Sequence, residues 1–269
     1  MIQSDFHLHS AFSGDCNTPL DELAATAISK GLKTICITDH QDFGYTDGGV
    51  LYELDVQDYY HTLKKLSENY RDKLDIRIGV ETGLEPDKAD LLHDFVSSCD
   101  FDFVIGSSHL INGFDPYYKE YFEGKTEKQA ILEYFESILT NLKYCNDFDV
   151  YGHIDYVVRY TTQKDKNYSY AKYSDILDEI LKELLRLEKG IEINTSGYRS
   201  GLSAPNPCID IIKRYREFGG EIITIGSDAH YSEHIAYKFD TVYEILLDCG
   251  YRYYTMFRNR QPDFMKLDK

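Results

Sequence analysis

Short apolar runs alternate along this chain with longer segments in which apolar residues recur every three or four positions. Seven runs rich in β-branched residues predict strands at residues 2–8, 33–39, 75–81, 102–108, 149–153, 190–195 and 221–227. Between them, the apolar spacing is typical of amphipathic helices, most clearly over residues 55–72, 126–145 and 173–189. The pattern therefore predicts a chain in which strands alternate with helices.

This repeated order predicts the architecture. Strands that alternate with helices are parallel and are joined by right-handed crossovers, and short β-branched runs suit strands that helices bury. Seven such units are too many for an ordinary small sheet and fit a closed α/β barrel, in which catalytic groups lie at the C-terminal ends of the strands. We expect one barrel domain spanning residues 1–269.

Two helices show further features. The first has the pattern of a helix start, with Thr18 as the expected N-cap, Pro19 as the first helical residue and Gly31 just beyond the end. The segment 173–189 carries an apolar stripe that predicts core packing, formed by Ile176, Leu177, Ile180, Leu181, Leu184 and Leu187.

Most of the predicted strands end in a residue that can bind metal. The runs are SDFHLH, ICITDH, IRIGVE, VIGSSH, the shorter VYGHID, and IITIGSDAH. They include six of the nine histidines, and Asp15 follows the first strand in its loop. Any one of these would be an ordinary polar residue at a strand end, but their shared position predicts a multinuclear metal site formed by His7, His9, Asp15, His40, Glu81, His109, His153, Asp228 and His230.

Alternation along a strand decides which neighbours can act together. His7 and His9 lie on the same side of the first strand, so both can bind one ion. Asp39 and His40 point in different directions, and we expect His40 to be the ligand and Asp39 a supporting residue. Nine ligands exceed the four that a tetrahedral zinc takes and suit three ions, with Glu81 shared. Mixed imidazole and carboxylate ligands suit zinc, iron or manganese.

Composition excludes several classes of protein. The net charge of −17 disfavours nucleic acid as a partner, since phosphate-backbone binding needs clustered lysine and arginine. No apolar run approaches the ~18 residues of a membrane span, and the N-terminus is too polar for a signal peptide, so a cytoplasmic location is expected. Six scattered cysteines without a CxxC pair predict free thiols. His61, His93 and His234 fall outside the strand-end pattern.

The combined motifs resemble a known family. An HxH motif followed by an aspartate, then TDH, GVE, SSH, GH and SDAH, occur in the order found in the PHP (polymerase and histidinol phosphatase) family, and the resemblance covers essentially the whole chain. It implies a distorted (β/α)7 barrel with a trinuclear metal centre. The implied groups are His7, His9 and Asp228 for one ion, Glu81 shared with a second ion at His109 and His153, and Asp15, His40 and His230 for the third.

Two stretches are similar to one branch of that family, the stand-alone histidinol-phosphate phosphatases. They are GHIDYVVRY after the fifth strand and INTSGYRSGLSAPNP after the sixth. The resemblance implies hydrolysis of L-histidinol phosphate, a step of histidine biosynthesis. A hydroxide bridging two ions would attack phosphorus, because metal binding lowers the pKa of water. Glu81, Asp228 and His230 are the expected catalytic positions.

Each of the two stretches also contains an arginine that we expect to bind the phosphate. A planar guanidinium matches phosphate geometry, and Arg199 is favoured over Arg159 because it lies in a glycine- and serine-rich loop directly after a strand. The amine and imidazole of the implied substrate need carboxylates and aromatic faces. Candidates are Asp42 and, in the loop after the fourth strand, Asp115, Tyr117, Tyr118, Glu120 and Tyr121.

Three alternatives remain open from sequence. The same centre would serve another small phosphoester, such as a nucleotide, or a phosphodiester. A non-catalytic module that kept the barrel would show lost ligands, and none of the nine positions departs from the motif. A carbon–nitrogen hydrolase of the amidohydrolase kind often uses a carboxylated lysine, and no lysine ends any of the seven predicted strands.

Overall fold

Seven parallel strands form a nearly closed barrel in the computed structural model, which describes residues 2–267. Every one of the seven predicted strands is confirmed. In the order in which they neighbour one another, the strands are Ser4–Leu8 (β1), Thr34–Ile37 (β2), Asp75–Gly83 (β6), Phe103–Ser107 (β7), Val150–Tyr151 (β8), Gly190–Asn194 (β9) and Ile223–Gly226 (β10).

The seam between β10 and β1 lies beside the predicted metal ligands. The backbone N–H of Asp228 donates to the carbonyl of His7 at 2.8 Å, and that of His9 donates to the carbonyl of Ala229 at 3.0 Å. Leu8 and Ala229 form a parallel bridge at the same place. These bonds bring the end of the first strand against the segment that follows the last one.

Helices cover the outside of the barrel, and the three segments predicted most clearly are confirmed as α2, α4 and α5. In α5, Leu177, Ile180, Leu181 and Leu184 are fully buried in the core, as the stripe predicted. The helices are Leu20–Ser29 (α1), Val56–Tyr70 (α2), Ala89–Ser97 (α3), Glu127–Tyr144 (α4), Ser174–Arg186 (α5), Ser196–Arg199 (α6), Ile209–Glu217 (α7) and Phe239–Asp248 (α8).

The predicted start of the first helix is wrong in one respect. Helix α1 begins at Leu20, Pro19 occupies the N-cap position, and no side chain caps the helix. The hydroxyl of Thr18 instead donates to the backbone carbonyl of His230 at 2.8 Å. Thr18 therefore supports a predicted metal ligand instead of a helix terminus. The end is as predicted, since Gly31 takes a left-handed φ of 80° that suits glycine.

Five short or peripheral strands were not predicted from the sequence. The two-residue strand His40–Gln41 (β3) pairs with β6 and sets His40 beside Glu81. Thr46–Asp47 (β4) and Val50–Leu51 (β5) form a small hairpin. A second hairpin is formed by Tyr253–Arg258 (β11) and Gln261–Lys266 (β12).

The second hairpin packs at the N-terminal end of the barrel strands. The ring of Phe257 stacks on Phe103 at 5.0 Å between centroids, and Phe103 contacts Phe6 edge-on at 5.4 Å. Arg260 pairs with Asp149 at 2.6 Å. One end of the barrel is therefore filled by aromatic rings, and the polar groups collect at the other.

Two compositional predictions can be compared with the structure. All six cysteines are free thiols, as the absence of paired spacing predicted. Across residues 2–267, none of the helices combines the length and the apolar character that crossing a bilayer requires.

Truncating the α5 stripe should destabilise the fold. Leu181→Ala removes a side chain that is 0% exposed and should lower the free energy of unfolding by about 2–5 kcal/mol, because it leaves a cavity. Leu91→Ala is the matched control, since Leu91 is 50% exposed and its loss should cost no more than about 0.5 kcal/mol. Urea denaturation followed by circular dichroism measures both, and equal effects would contradict this packing.

Candidate metal centre

The side chain of Glu81 lies at the centre of the predicted ligands, where it is 1% exposed. Its Oε2 atom is 3.0 Å from Nε2 of His7. Its Oε1 atom is 2.9 Å from Nε2 of His153 and 3.2 Å from Nε2 of His109. The hydroxyl of Ser107 donates to Oε1 at 2.7 Å. The carboxylate therefore faces two groups of histidines at once.

The first group combines the HxH pair of β1 with Asp228. The Nε2 atoms of His7 and His9 are 3.1 Å apart. Oδ1 of Asp228 is 3.4 Å from Nε2 of His9 and 3.8 Å from Nε2 of His7. The other ring nitrogen of His7, Nδ1, contacts Oε1 of Glu192 at 2.6 Å. This contact turns the Nε2 atom of His7 toward the cluster.

A separate group lies nearer to solvent. Nε2 of His230 is 3.1 Å from Oδ2 of Asp15, and Nε2 of His40 is 3.6 Å from the same oxygen. The ring of His9 stacks between them, with centroids 4.1 Å from His230 and 4.4 Å from His40.

Distances between ligand atoms define which residues can share an ion. Four sets have ligand atoms within 4.8 Å of one another: His9, Asp15, His40 and His230; His7, His9 and Glu81; Glu81, His109 and His153; and His40, Asp42 and His109. Asp228 lies beside the second set at the distances given above. The fold thus brings all nine predicted ligand residues to the C-terminal ends of the barrel strands.

Asp39 has the supporting position that strand alternation predicts. Its carboxylate accepts hydrogen bonds from the backbone N–H of Ser10 at 2.5 Å and from the hydroxyls of Ser10 and Ser13 at 2.7 and 2.9 Å. The Ser13 oxygen also lies 2.9 Å from Nδ1 of His9. Asp39 therefore holds the loop that orients His9 and does not face the cluster.

Two of the predicted ligand residues have a left-handed backbone that non-glycine residues seldom adopt. The φ angle is 53° at Asp228 and 23° at His153. Such strain persists only where surrounding contacts impose it. At Asp228 these contacts include the guanidinium of Arg199, which donates to the carbonyls of Ser227 and Asp228, each at 2.8 Å.

The two central carboxylates and the imidazole of His9 are in the forms that bind metals. Burial would raise the pKa of Glu81, but the charges of His7 and His109 lower it well below its usual value. The pKa of Asp228 is lowered against burial in the same way, mainly by His7. Burial lowers the pKa of His9 to about 3. Ionised carboxylates and neutral imidazoles are the forms that bind metals.

Buried polar atoms that lack a hydrogen-bond partner also bear on whether the cluster suits metal ions. Nδ1 of His40, Oδ2 of Asp42 and Nδ1 of His153 are buried without a hydrogen-bond partner among the described residues. Buried polar groups are normally paired, so their grouping here marks a functional site. Together with the nitrogen and oxygen donor set, this shows a cluster suited to divalent metal ions.

A cavity of about 350 Å³ opens over the cluster. Its wall includes carboxylates away from the histidines, Asp47 and Asp115, and one arginine, Arg159. Tyr117, a predicted substrate contact, lies in the wall and is 61% exposed. The other tyrosines that line the cavity are Tyr45, Tyr52, Tyr118, Tyr156 and Tyr160.

The structure reverses the predicted order of the two arginines. Arg159 is 6% exposed, lines the cavity and donates to Oδ2 of Asp228 at 3.3 Å. Arg199 is not among the cavity-lining residues, and its guanidinium is occupied by two backbone carbonyls. Arg199, the last residue of α6, thus contacts the backbone beside the cluster and does not line the cavity.

Two other aspartates hold neighbouring groups. Asp42, predicted as a contact for the substrate ammonium, lines the cavity but is only 3% exposed, and its Oδ1 contacts Nδ1 of His109 at 2.7 Å. Asp155, two residues after His153, accepts hydrogen bonds from the Asn206 side chain at 2.5 Å and from the Cys208 N–H at 2.9 Å. Asp155 therefore holds the loop after β9.

Sequence reasoning missed two polar residues of β9. Glu192 contacts His7 and accepts the backbone N–H of His153 at 3.1 Å. Asn194 donates to Asp228 at 3.2 Å and accepts from Arg159 at 3.1 Å. In the run GIEIN these two residues alternate with isoleucine, so both face one side of a buried strand. That alternation was the available signal.

Comparison with known proteins agrees with this geometry. The PHP domain signature matches residues 5–196. The histidinol-phosphatase of Lactococcus lactis is 30% identical over 100% of this chain and 97% of its own length. The probable histidinol-phosphatase of Clostridium acetobutylicum is 34% identical over 91% of this chain and 93% of its own length.

A solved structure extends the likeness to three dimensions. The crystal structure of histidinol phosphate phosphatase from Lactococcus lactis, complexed with zinc, L-histidinol and phosphate, matches with a TM-score of 0.89 at 30% identity. The match covers 97% of this chain and 98% of that protein. The order of the strand-end motifs, the seven-stranded barrel and these matches lead to one conclusion: the chain belongs to the PHP domain family.

Proposed function

We propose that this protein is a metal-dependent phosphomonoesterase that hydrolyses L-histidinol phosphate to L-histidinol and phosphate. The observation that supports this most directly is the cavity that has the metal-type cluster and the buried Arg159 on its wall. A phosphate group fits between them, because metal ions and a guanidinium both bind its oxygens. The full-length likeness to the Lactococcus lactis enzyme supports the choice of substrate.

We infer that the cluster holds three divalent ions. His7, His9 and Asp228 would hold the first, and His109 and His153 the second, with Glu81 shared between these two ions. The third would be held by Asp15, His40 and His230. Zinc, iron and manganese all suit these donors, and the related crystal structure contains zinc.

When bound, such ions supply Lewis-acid chemistry and lower the pKa of water. The expected catalytic positions, Glu81, Asp228 and His230, each belong to one of these groups, so their role is to hold the ions at fixed separations. Asp228 is fixed further by Asn194, Arg159 and the hydroxyl of Ser196, which donates to it at 2.9 Å.

Arg159 is prepared to bind phosphate oxygens. Its Nε donates to Asn206 at 2.7 Å, Nη2 to Asn194 at 3.1 Å and Nη1 to Asp228 at 3.3 Å. A guanidinium has five N–H donors, so one on each terminal nitrogen remains available. The guanidinium also lies over the ring of Tyr156, 5.0 Å from its centroid, and this cation–π contact helps to hold the group in place.

The outer wall of the cavity suits the rest of the proposed substrate. L-histidinol phosphate carries an ammonium and an imidazole, which favour carboxylates and aromatic faces. Asp115 lies in this wall, where it accepts from the hydroxyl of Tyr45 at 3.2 Å and from the backbone N–H of Tyr117 at 2.8 Å. We propose Asp115 and Tyr117 as contacts for the amino alcohol, in place of Asp42.

Phosphate release from L-histidinol phosphate should be much faster than from p-nitrophenyl phosphate or a nucleotide monophosphate. The expected preference follows from the carboxylates and tyrosines of the outer wall, and a chelator should abolish all activity. A colorimetric phosphate assay on metal-loaded protein measures the three rates. Similar slow rates on all three substrates would retain the phosphatase chemistry and contradict the assigned substrate.

The two arginines should differ when each is replaced by alanine. Arg159→Ala should lower kcat/KM by about 100- to 1000-fold with metal content retained, because it removes a preorganised phosphate donor. Arg199→Ala should instead weaken metal retention by about 10- to 100-fold, because it frees the backbone of Asp228. Steady-state kinetics and metal analysis of both variants test this, and the opposite pattern would restore the order predicted from sequence.

Acidification should weaken metal binding. Burial alone would lower the pKa of His109, but the charges of Asp42 and Glu81 outweigh burial and raise this pKa to about 10. Neighbouring carboxylates also raise the pKa of His7 and His40 against burial. These imidazoles therefore carry protons in the metal-free protein, which binding must displace. The apparent affinity for metal should therefore fall by about tenfold for each unit by which the pH is lowered, for each proton displaced.

Chelator competition at about pH 8 and about pH 6 measures this change in affinity. Proton release on zinc addition to a weakly buffered solution is the companion measurement. Equal affinity at the two pH values, with no protons released, would contradict the proposed ligand protonation.

A further inference from the structure

One buried carboxylate lies between histidines of two different ligand groups. Oδ1 of Asp42 is 2.7 Å from Nδ1 of His109, and its Oδ2 is 3.4 Å from Nδ1 of His40. His109 belongs to the group around Glu81, whereas His40 belongs to the group around Asp15. Asp42 is 3% exposed, so water does not compete freely for either oxygen.

The strand beside Asp42 leaves space for its side chain. A Cβ atom added to Gly83 would lie 2.0 Å from Oδ1 of Asp42, far inside van der Waals contact. Residue 83 must therefore be glycine if the carboxylate is to stay beside His109. The place of Asp42 is thus fixed by the packing of β6 as well as by its own hydrogen bond.

We propose that Asp42 is a positioning residue that orients His40 and His109 together and so couples the second and third ion positions. This inference rests on the three-ion arrangement of the proposed function. A hydrogen bond at Nδ1 fixes both the tautomer and the ring angle of a histidine, leaving Nε2 as the ligand atom. Accordingly, Nε2 of His109 faces Glu81 at 3.2 Å, and Nε2 of His40 faces Asp15 at 3.6 Å.

The unsatisfied atoms support this role. Nδ1 of His40 and Oδ2 of Asp42 both lack a hydrogen-bond partner and lie 3.4 Å apart, and Nδ1 of His40 also lies 3.3 Å from Oε2 of Glu81. A small rotation of the His40 ring would satisfy both atoms in a single hydrogen bond. Asp42 would then accept one N–H on each oxygen, and both imidazoles would be held by one rigid carboxylate.

Two other roles for Asp42 fit the geometry less well. A direct-ligand role, which the closeness of the ligand atoms of His40, Asp42 and His109 permits, would have to use the unpaired Oδ2, because Oδ1 is held at 2.7 Å from Nδ1 of His109. As a contact for a substrate ammonium, Asp42 would have to give up its 2.7 Å bond to His109. Positioning keeps the observed contact with His109 and requires only the small rotation of the His40 ring.

Metal retention tests the proposal. The wild-type protein and Asp42→Asn are loaded with zinc, dialysed against increasing chelator and analysed for zinc per chain by mass spectrometry. The variant should lose two of three ions at about 10- to 100-fold lower chelator concentration, and should keep the ion of His7, His9 and Asp228. Thermal unfolding of the metal-free proteins checks that the variant is folded.

Two further variants separate positioning from charge. Asp115→Asn removes a negative charge from the same cavity wall without touching a histidine, and should retain zinc like the wild type. Gly83→Ala keeps the charge of Asp42 but displaces the carboxylate, and should lose the same two ions as Asp42→Asn. It also provides an independent test if Asp42→Asn does not fold.

The outcomes are distinct. Unchanged zinc retention in Asp42→Asn, or loss of all three ions together, would overturn the positioning role. Loss of one ion alone, at any chelator concentration, would mean that Asp42 is a direct ligand. A wild-type protein that holds fewer than three ions would overturn the three-ion arrangement instead, and the comparison with the variants would still decide what Asp42 does.

Discussion

The structure depends on keeping the ionised carboxylate of Glu81 buried inside a barrel. A charge taken out of water is costly unless hydrogen bonds and opposite charges surround it. Here the surrounding groups are Ser107 and the imidazoles of His7, His109 and His153, which lie in or just after three strands other than the one that carries Glu81. The ends of β1, β6, β7 and β8 must therefore align closely, and the barrel provides that alignment.

Around this centre lie further carboxylates that contact the histidines or the residues that hold them. Glu192 contacts Nδ1 of His7, Asp42 contacts Nδ1 of His109, and Asp39 acts on His9 through Ser13. Each leaves the Nε2 atom of its histidine directed toward a ligand group. Such support matters because metal affinity depends on the orientation of the ligands as well as on their identity.

At the seam of the barrel, tertiary contacts stabilise an unfavourable backbone conformation at Asp228. Asp228 follows β10 with a left-handed φ, and its backbone is bonded to His7 on one side and to Arg199 on the other. Thr18 holds the carbonyl of His230 in the same segment. These contacts are made by residues far apart in sequence, so the segment is shaped only when the barrel closes.

The sequence by itself determined the seven strands and the nine residues that meet at their C-terminal ends, because side-chain alternation and the ends of parallel strands are local features of the pattern. Only the tertiary structure decided that Arg159 and not Arg199 lines the cavity, and that Asp42 contacts His109. Both depend on side-chain directions set by turns and by neighbours such as Gly83. For Glu192, the sequence indicated the face of the strand on which the side chain lies. It did not indicate the contact with His7, which is 185 residues away in the chain.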